Sequence, residues 1–186
     1  MNSEPQTLPG PDEVLRFWRQ AGSGKWFSSD PDFDAEIARR FAALNKAAVA
    51  GRCDDWAQTA PGALALILVI DQFSRNLFRG EATAFAGDGK ALEVARQAIA
   101  QGFDKGVEKT LRSFFYMPFM HAEDMAEQER SVALFEALDD PVGLDFARQH
   151  ADIIARFGRF PHRNKALGRP MLAEEQEFLD QGGFSA

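Results

Sequence analysis

Asp71, Arg75 and Arg79 recur every fourth residue, with Gln72 and Asn76 beside them, directly after the apolar run 63–70. On a helix that spacing lines the three charges along one face. Charges on an otherwise apolar helix cost several kcal/mol each to desolvate unless partners compensate them. Two chemistries fit. One is an internal Asp71 to Arg75 pair that fixes packing; the other is a clamp in which Asp71, Arg75, Asn76 and Arg79 hold a ligand.

A second group follows the stretch Phe114-Phe115-Tyr116-Met117-Pro118-Phe119-Met120 and comprises His121, Glu123, Asp124 and Gln128. Within one helix His121, Asp124 and Gln128 share a face. Pro118 has no N–H for the carbonyl of Phe114, so a kink or a fresh helix start is expected just before His121. An imidazole beside a carboxylate titrates near neutrality, which makes His121 and Glu123 the candidate acid/base or orienting pair. A hydrogen-bonded structural histidine is the competing reading.

The third group is the stretch from Arg156 to Arg169, which carries five basic side chains and no acidic one in a chain whose net charge is −7. Gly158, Pro161 and Gly168 mark it as a loop. Its amides and guanidinium forks suit a phosphate or carboxylate, with Arg159, His162, Arg163, Asn164 and Arg169 as ligands. Alternatively these arginines pair with carboxylates elsewhere, Asp71, Glu123, Asp124, Glu174 and Glu175 among them. His150 lies on the apolar row Phe146, His150, Ile153, Phe157 and reads as a buried, satisfied histidine.

No glycine-rich phosphate loop, nucleophile elbow or dinucleotide fingerprint occurs, so no cofactor is expected. The spacing His-Glu-x-x-His is absent too, and a divalent metal held by His and carboxylates is the weaker alternative.

These groups need elements to position them, and the composition names the class. Val, Ile, Thr and Tyr number 7, 6, 4 and 1 of 186 residues, against 29 Ala and 15 Leu, so strand formers are scarce. Phe33, Ile37, Phe41, Leu44 and Ala48 form one helical stripe. Helices are expected at about 11–21, from the Phe33 stripe to near 51, and at 61–78, 88–101, 107–128, 130–138, 142–157 and 173–180. The helix over 61–78 is apolar all round and takes the centre. No clear 34-residue repeat is visible. The expectation is an all-α single domain over 1–186 of about eight helices in antiparallel pairs, its first ten residues flexible.

The acidic balance, with pI near 5.0, opposes general attraction to nucleic acid or anionic membranes. One cysteine, Cys53, forbids an intrachain disulfide and suits a reducing compartment. With no signal-peptide pattern and no bilayer-length apolar span, the cytoplasm is the expected location.

The segment Asp71-Gln72-Phe73-Ser74-Arg75-Asn76-Leu77-Phe78-Arg79-Gly80, the His121-x-Glu123-Asp124 step and the Arg156 to Arg169 stretch together resemble a bacterial family known as domain of unknown function 924. The resemblance runs from Val14-Leu15-x-Phe17-Trp18 through Trp26-Phe27 to Glu174-Glu175-x-x-Phe178-Leu179. It implies a tetratricopeptide-like superhelix of helix pairs and brings no established catalytic residue. Met171-Leu172 stands where the family commonly has Ser-Thr, so the last helix lacks a side-chain cap worth about 1 kcal/mol.

The functional expectation is an electropositive recess in which Arg75, Arg79, Arg159, Arg163 and Arg169 bind a small phosphate- or carboxylate-bearing ligand. Its rival is a non-catalytic helical module that presents a surface to an acidic peptide or partner protein. A third reading makes every charged cluster structural.

Overall fold

The computed structural model describes residues 7–183, and among them there is no strand. Of the opening stretch expected to be flexible, residues 1–6 lie outside the described residues. Helix α1 (Pro11–Ala21) begins with proline in its first turn and ends at Gly22, whose φ is 72°. The short α2 (Ser23–Trp26) leads to α3 (Pro31–Val49), whose N-terminus is capped by the Asp30 carboxylate accepting from the amides of Asp32 and Phe33. The stripe Phe33, Ile37, Phe41, Leu44 and Ala48 is buried, as its spacing requires.

The central segment is helical from 60 to 77 but not uniformly α. Helix α4 (Ala60–Ile67) passes through a π-turn (Leu68–Gln72) into α5 (Phe73–Leu77), and the amide of Phe73 reaches back five residues to the carbonyl of Leu68. Every residue from Ala63 to Ile70 is fully buried. A π-turn widens the helix and frees carbonyls that a buried setting must satisfy. Asn45 of α3 donates its Nδ2 to the carbonyl of Val69 at 2.7 Å and to Ser74 Oγ at 2.9 Å, while Ser74 Oγ donates to the carbonyl of Ile70 at 2.8 Å. A Cβ on Gly87 would lie 2.6 Å from the same Ile70 carbonyl, so only glycine lets the following loop cross there. Asn45→Ala strips a buried carbonyl of its donor and is expected to cost about 2 kcal/mol in urea unfolding. A loss under 0.5 kcal/mol, about a quarter of that, would show that the π-turn needs no support from α3.

Helix α6 (Asp88–Ala100) packs on α4 and on α7 (Lys109–Met120), and α8 (Met125–Leu138) packs against both α7 and α9 (Pro141–Phe157). The expected helix over 107–128 is in fact two. Helix α7 (Lys109–Met120) carries Pro118 inside its last turn and stops at His121; α8 (Met125–Leu138) starts afresh with Asp124 as its cap. The break therefore falls after His121 rather than before it. Its cause is local: Asp124 accepts from the amide of Glu127, and the buried Gln128 donates its Nε2 to the carbonyls of Met120 and Ala122, both at 2.7 Å, closing off the end of α7. Consequently His121, Asp124 and Gln128 do not share a helical face.

Helix α9 (Pro141–Phe157) is capped by Asp140 and ends at Gly158 in the left-handed region. Beyond it a single turn (Pro161–Arg163) and α10 (Ala173–Asp180) rest on a small separate core of Ile153, Ile154 and Phe160, with Phe157 and Phe178 packed against it. No side chain caps α10, as its sequence requires. Glu175 substitutes by accepting from the amide of Leu172 at 2.8 Å.

Candidate functional site

Asp71 lies inside the π-turn and is fully buried. Its Oδ1 is 2.9 Å from Arg75 Nη1 and 2.8 Å from His121 Nδ1, and its Oδ2 accepts from Gln72 Nε2 at 2.6 Å. Burial alone would push this carboxyl up, but Arg75, His121 and Gln72 outweigh it and hold it well below the usual carboxylate range. An ionised Asp71 only accepts, so Nδ1 of His121 carries the proton and Nε2 keeps its lone pair. Burial and the Arg75 charge lower the His121 pKa against the pull of Asp71, so the imidazole is neutral near pH 7.

Arg75 continues the chain of contacts. Its Nη1 donates to the Asp71 carbonyl at 2.9 Å, and both Nη atoms meet the carboxylate of Asp88 at 3.1 Å. Asp88, in the first turn of α6, also accepts from Arg163 Nη1 at 3.1 Å. The Arg163 guanidinium lies 4.6 Å from the ring centres of both Phe85 and Phe160, sandwiched between them. Arg163 is 6% exposed and its Nε has no hydrogen-bond partner among the described residues. Burial, with Arg75 adding to it and Asp88 opposing, brings its pKa down to about 10.

All three histidines gather here. The rings of His121 and His150 are 6.3 Å apart, and the Phe160 ring lies 5.4 Å from His150 and 5.6 Å from His162. His150 Nδ1 is 2.7 Å from the Phe146 carbonyl, the satisfied arrangement expected of it. Burial pushes the pKa of His150 down to about 3 and that of His162 to about 4, so both are neutral across the physiological range.

Glu123 is held on several sides. It accepts from Arg169 Nη1 at 2.6 Å and Nη2 at 2.9 Å, and from the amide of Phe160 at 2.7 Å. Arg169 Nε in turn donates to Asn164 Oδ1, and Asn164 Nδ2 to Glu175, which also takes Arg159 through Nε at 2.6 Å and Nη2 at 2.8 Å. Glu123 therefore acts as a brace that fastens the 158–172 segment to the corner between α7 and α8. Asp124 is spent as a helix cap.

The twelve residues singled out by sequence thus divide, with Asp124 set aside as the cap of α8. Asp71, Arg75, His121, His162 and Arg163 converge; Glu123, Arg159, Asn164 and Arg169 form the adjoining brace. Arg79 and Asn76 stand apart because α5 ends at Leu77, which turns Arg79 off the expected face. Arg79 is a largely exposed partner of Asp34, and Asn76 donates to the same carboxylate at 2.7 Å.

The electropositive recess is not what forms. Arg75 meets Asp71 and Asp88, Arg163 meets Asp88, Arg169 meets Glu123, Arg159 meets Glu175 and Arg79 meets Asp34. Asp88 and Asp34 went unnoticed in the sequence. Asp88 looks like an ordinary acidic residue in a first helical turn, and Asp34 sits on the polar side of an amphipathic stripe. Two surface grooves of about 270 and 300 Å³ lie away from the cluster, lined by none of its residues. Among the described residues no group of three His, Cys, Asp or Glu side chains is disposed to hold a metal ion, and no helix is long and apolar enough to cross a membrane.

The arrangement is a carboxylate-oriented, neutral imidazole set in a π-turn beside two arginines joined by one aspartate. Chemically it can accept a proton at His121 Nε2 and donate hydrogen bonds from Arg75 and Arg163. Among curated proteins none matches the chain significantly. A solved structure from Agrobacterium tumefaciens, the protein of unknown function ATU0120, is similar at 44% identity. The match covers 92% of this chain and 97% of that one, with a TM-score of 0.89. The family model described as "Bacterial protein of unknown function" (DUF924) matches residues 14–183. Match and fold agree over nearly the whole length, and the chain belongs to this family.

Proposed function

We propose that the Asp71–His121 pair, with Arg75 and Arg163 beside it, forms a binding site for a small oxyanion, and that His121 is the group exchanging a proton with the ligand. The observation carrying this reading is the fully buried Asp71, whose Oδ1 orients His121 Nδ1 at 2.8 Å from within a π-turn. Buried ion pairs are replaceable by apolar packing with little loss of stability, and π-turns recur at functional sites. Their coincidence with three gathered histidines favours a site over a simple brace. The unpartnered Nε of the buried Arg163 adds a donor in want of an acceptor. Glu123 holds the adjoining segment in place through Arg169. The helix pairs α7–α8 and α8–α9 are read as a tetratricopeptide-like scaffold, the location as cytoplasmic on the single cysteine, and no metal enters the scheme.

Sulfate or phosphate at ten times its Kd is expected to raise Tm by about 3–5 °C over chloride of equal ionic strength. Arg163→Leu should remove that response while leaving Asp88 paired with Arg75. No shift with either anion, or an unchanged shift in the variant, would overturn the site.

A second reading rests on the groove between α9 and α10, floored by Ile153, Phe157 and Phe178, with Arg156 stacked 4.6 Å from the Phe157 ring. Asp152 lines the same groove, so a peptide with an apolar anchor and one carboxylate placed for Arg156 fits that chemistry. Peptide binding abolished by Arg156→Glu would favour it.

A further inference from the structure

Charge in the cluster is already matched. Arg75 and Arg163 face Asp71 and Asp88, Arg169 faces Glu123, and the histidines are neutral. An anion added to this set would be an uncompensated charge in a half-buried setting, where such a charge is strongly penalised. Near neutral pH only a histidine can supply the missing positive charge. Resting on the oxyanion reading above, we propose that the site takes its anion together with one proton, His121 becoming an imidazolium as the anion arrives. The proton offsets one unit of the anion's charge, so in net terms the site takes the oxyanion in its singly protonated form, whether the anion arrives with one charge or, like sulfate, with two.

Geometry selects His121 among the three. Its Nδ1 meets the Asp71 carboxylate at 2.8 Å, so its imidazolium has a partner ready. His150 commits Nδ1 to the Phe146 carbonyl, and His162 lies beside the Arg163 charge that opposes its protonation. The groups around His121 are Asp71 and Arg75 from the central segment, Asp88 from α6 and Glu123 from the turn after α7. His150 belongs to α9, and His162 and Arg163 to the turn before α10. Burial first and then the Arg75 charge disfavour an imidazolium at His121, and an anion seated against Arg75 offsets the second of these.

Sulfate tests the proposal because it does not itself titrate between pH 5 and 8. Its Kd, measured by calorimetry on the full chain at constant ionic strength, is expected to rise about tenfold per pH unit from 6.5 to 7.5. Uptake should be close to one proton when two buffers of different ionisation enthalpy are compared. With three histidines in the chain, the ring-proton NMR signals are few. Sulfate should move one of them to its imidazolium position, and His150→Gln and His162→Gln spectra assign it by elimination without touching His121. Sulfate that binds equally at pH 5.5 and 7.5 would overturn the proton coupling and leave the anion site standing. A moving signal that belongs to His150 or His162 would overturn the assignment to His121. No sulfate binding at any pH would defeat the coupling and the oxyanion reading together.

Discussion

Asp71→Ala is expected to lower the unfolding free energy by about 4 kcal/mol, and Tm by roughly 12 °C. The carboxylate is fully buried and accepts from Arg75, His121 and Gln72 at once. Removing it takes that acceptor from the buried His121 Nδ1 and Gln72 amide, and Arg75 retains only Asp88 and the backbone carbonyl of residue 71. A single lost surface pair would cost no more than about 1 kcal/mol, so equilibrium urea unfolding separates the two cases without ambiguity. A measured loss below 1 kcal/mol, the surface value, would mean that Asp71 is not the hub of the cluster.

The double variant Asp71→Leu with Arg75→Leu sharpens that result. Both charges are gone, no ion is left unpaired, and Asp88 keeps Arg163. Stability should return to within about 1 to 2 kcal/mol of the natural chain, because an apolar pair substitutes for a buried ion pair at little cost. Stability recovered with the sulfate response lost is the pattern of a functional cluster. Stability that stays low in the double variant is the pattern of a structural one.

The fold class was open to reading because helix formation here is a matter of composition and period. The scarcity of β-branched residues, the Phe33 to Ala48 stripe and the apolar run 63–70 each act locally, and each landed where the period put it. The π-turn left no such trace. An all-apolar stretch shows the same pattern at 3.6 or 4.4 residues per turn, and the groups that support the wider turn, Asn45 and Gly87, come from remote parts of the chain. Arg79 misled because spacing of four implies a shared face only while the helix lasts, and α5 stops at Leu77. Pro118 drew attention to the wrong side of His121, since the stop is made by Asp124 and Gln128 acting across the break. Most of all, a run of arginines is visible in sequence, whereas the carboxylates that meet them arrive from 45 residues away in Asp34 and 75 in Asp88. Charge clustering in one dimension therefore gave the location of the cluster but not the carboxylates that neutralise its interior.

Glu175→Ala is expected to release the whole 158–180 segment, at a local cost of about 3 kcal/mol, while the main core stays folded. Glu175 is fully covered and fixes three separate pieces: Arg159 through two bonds, Asn164 at 3.0 Å and the uncapped start of α10 at the Leu172 amide. The small core beneath that segment is separate from the main one, so little else resists its opening. Hydrogen exchange read by peptide mass should show the amides of 158–180 exchanging about a hundredfold faster, with α4 and α7 unchanged. Acid should reproduce the effect. The Arg159 bonds hold the Glu175 carboxyl down to about 2, below its unfolded value near 4.3. A depressed carboxyl contributes its stability above the unfolded pKa and loses it as pH falls through the folded one, so the segment should loosen between about pH 4.3 and pH 2. In Glu175→Gln that acid-dependent step should vanish from the 158–180 peptides. If the step persists there, Glu123 rather than Glu175 controls how the segment is fastened over His121 and His150.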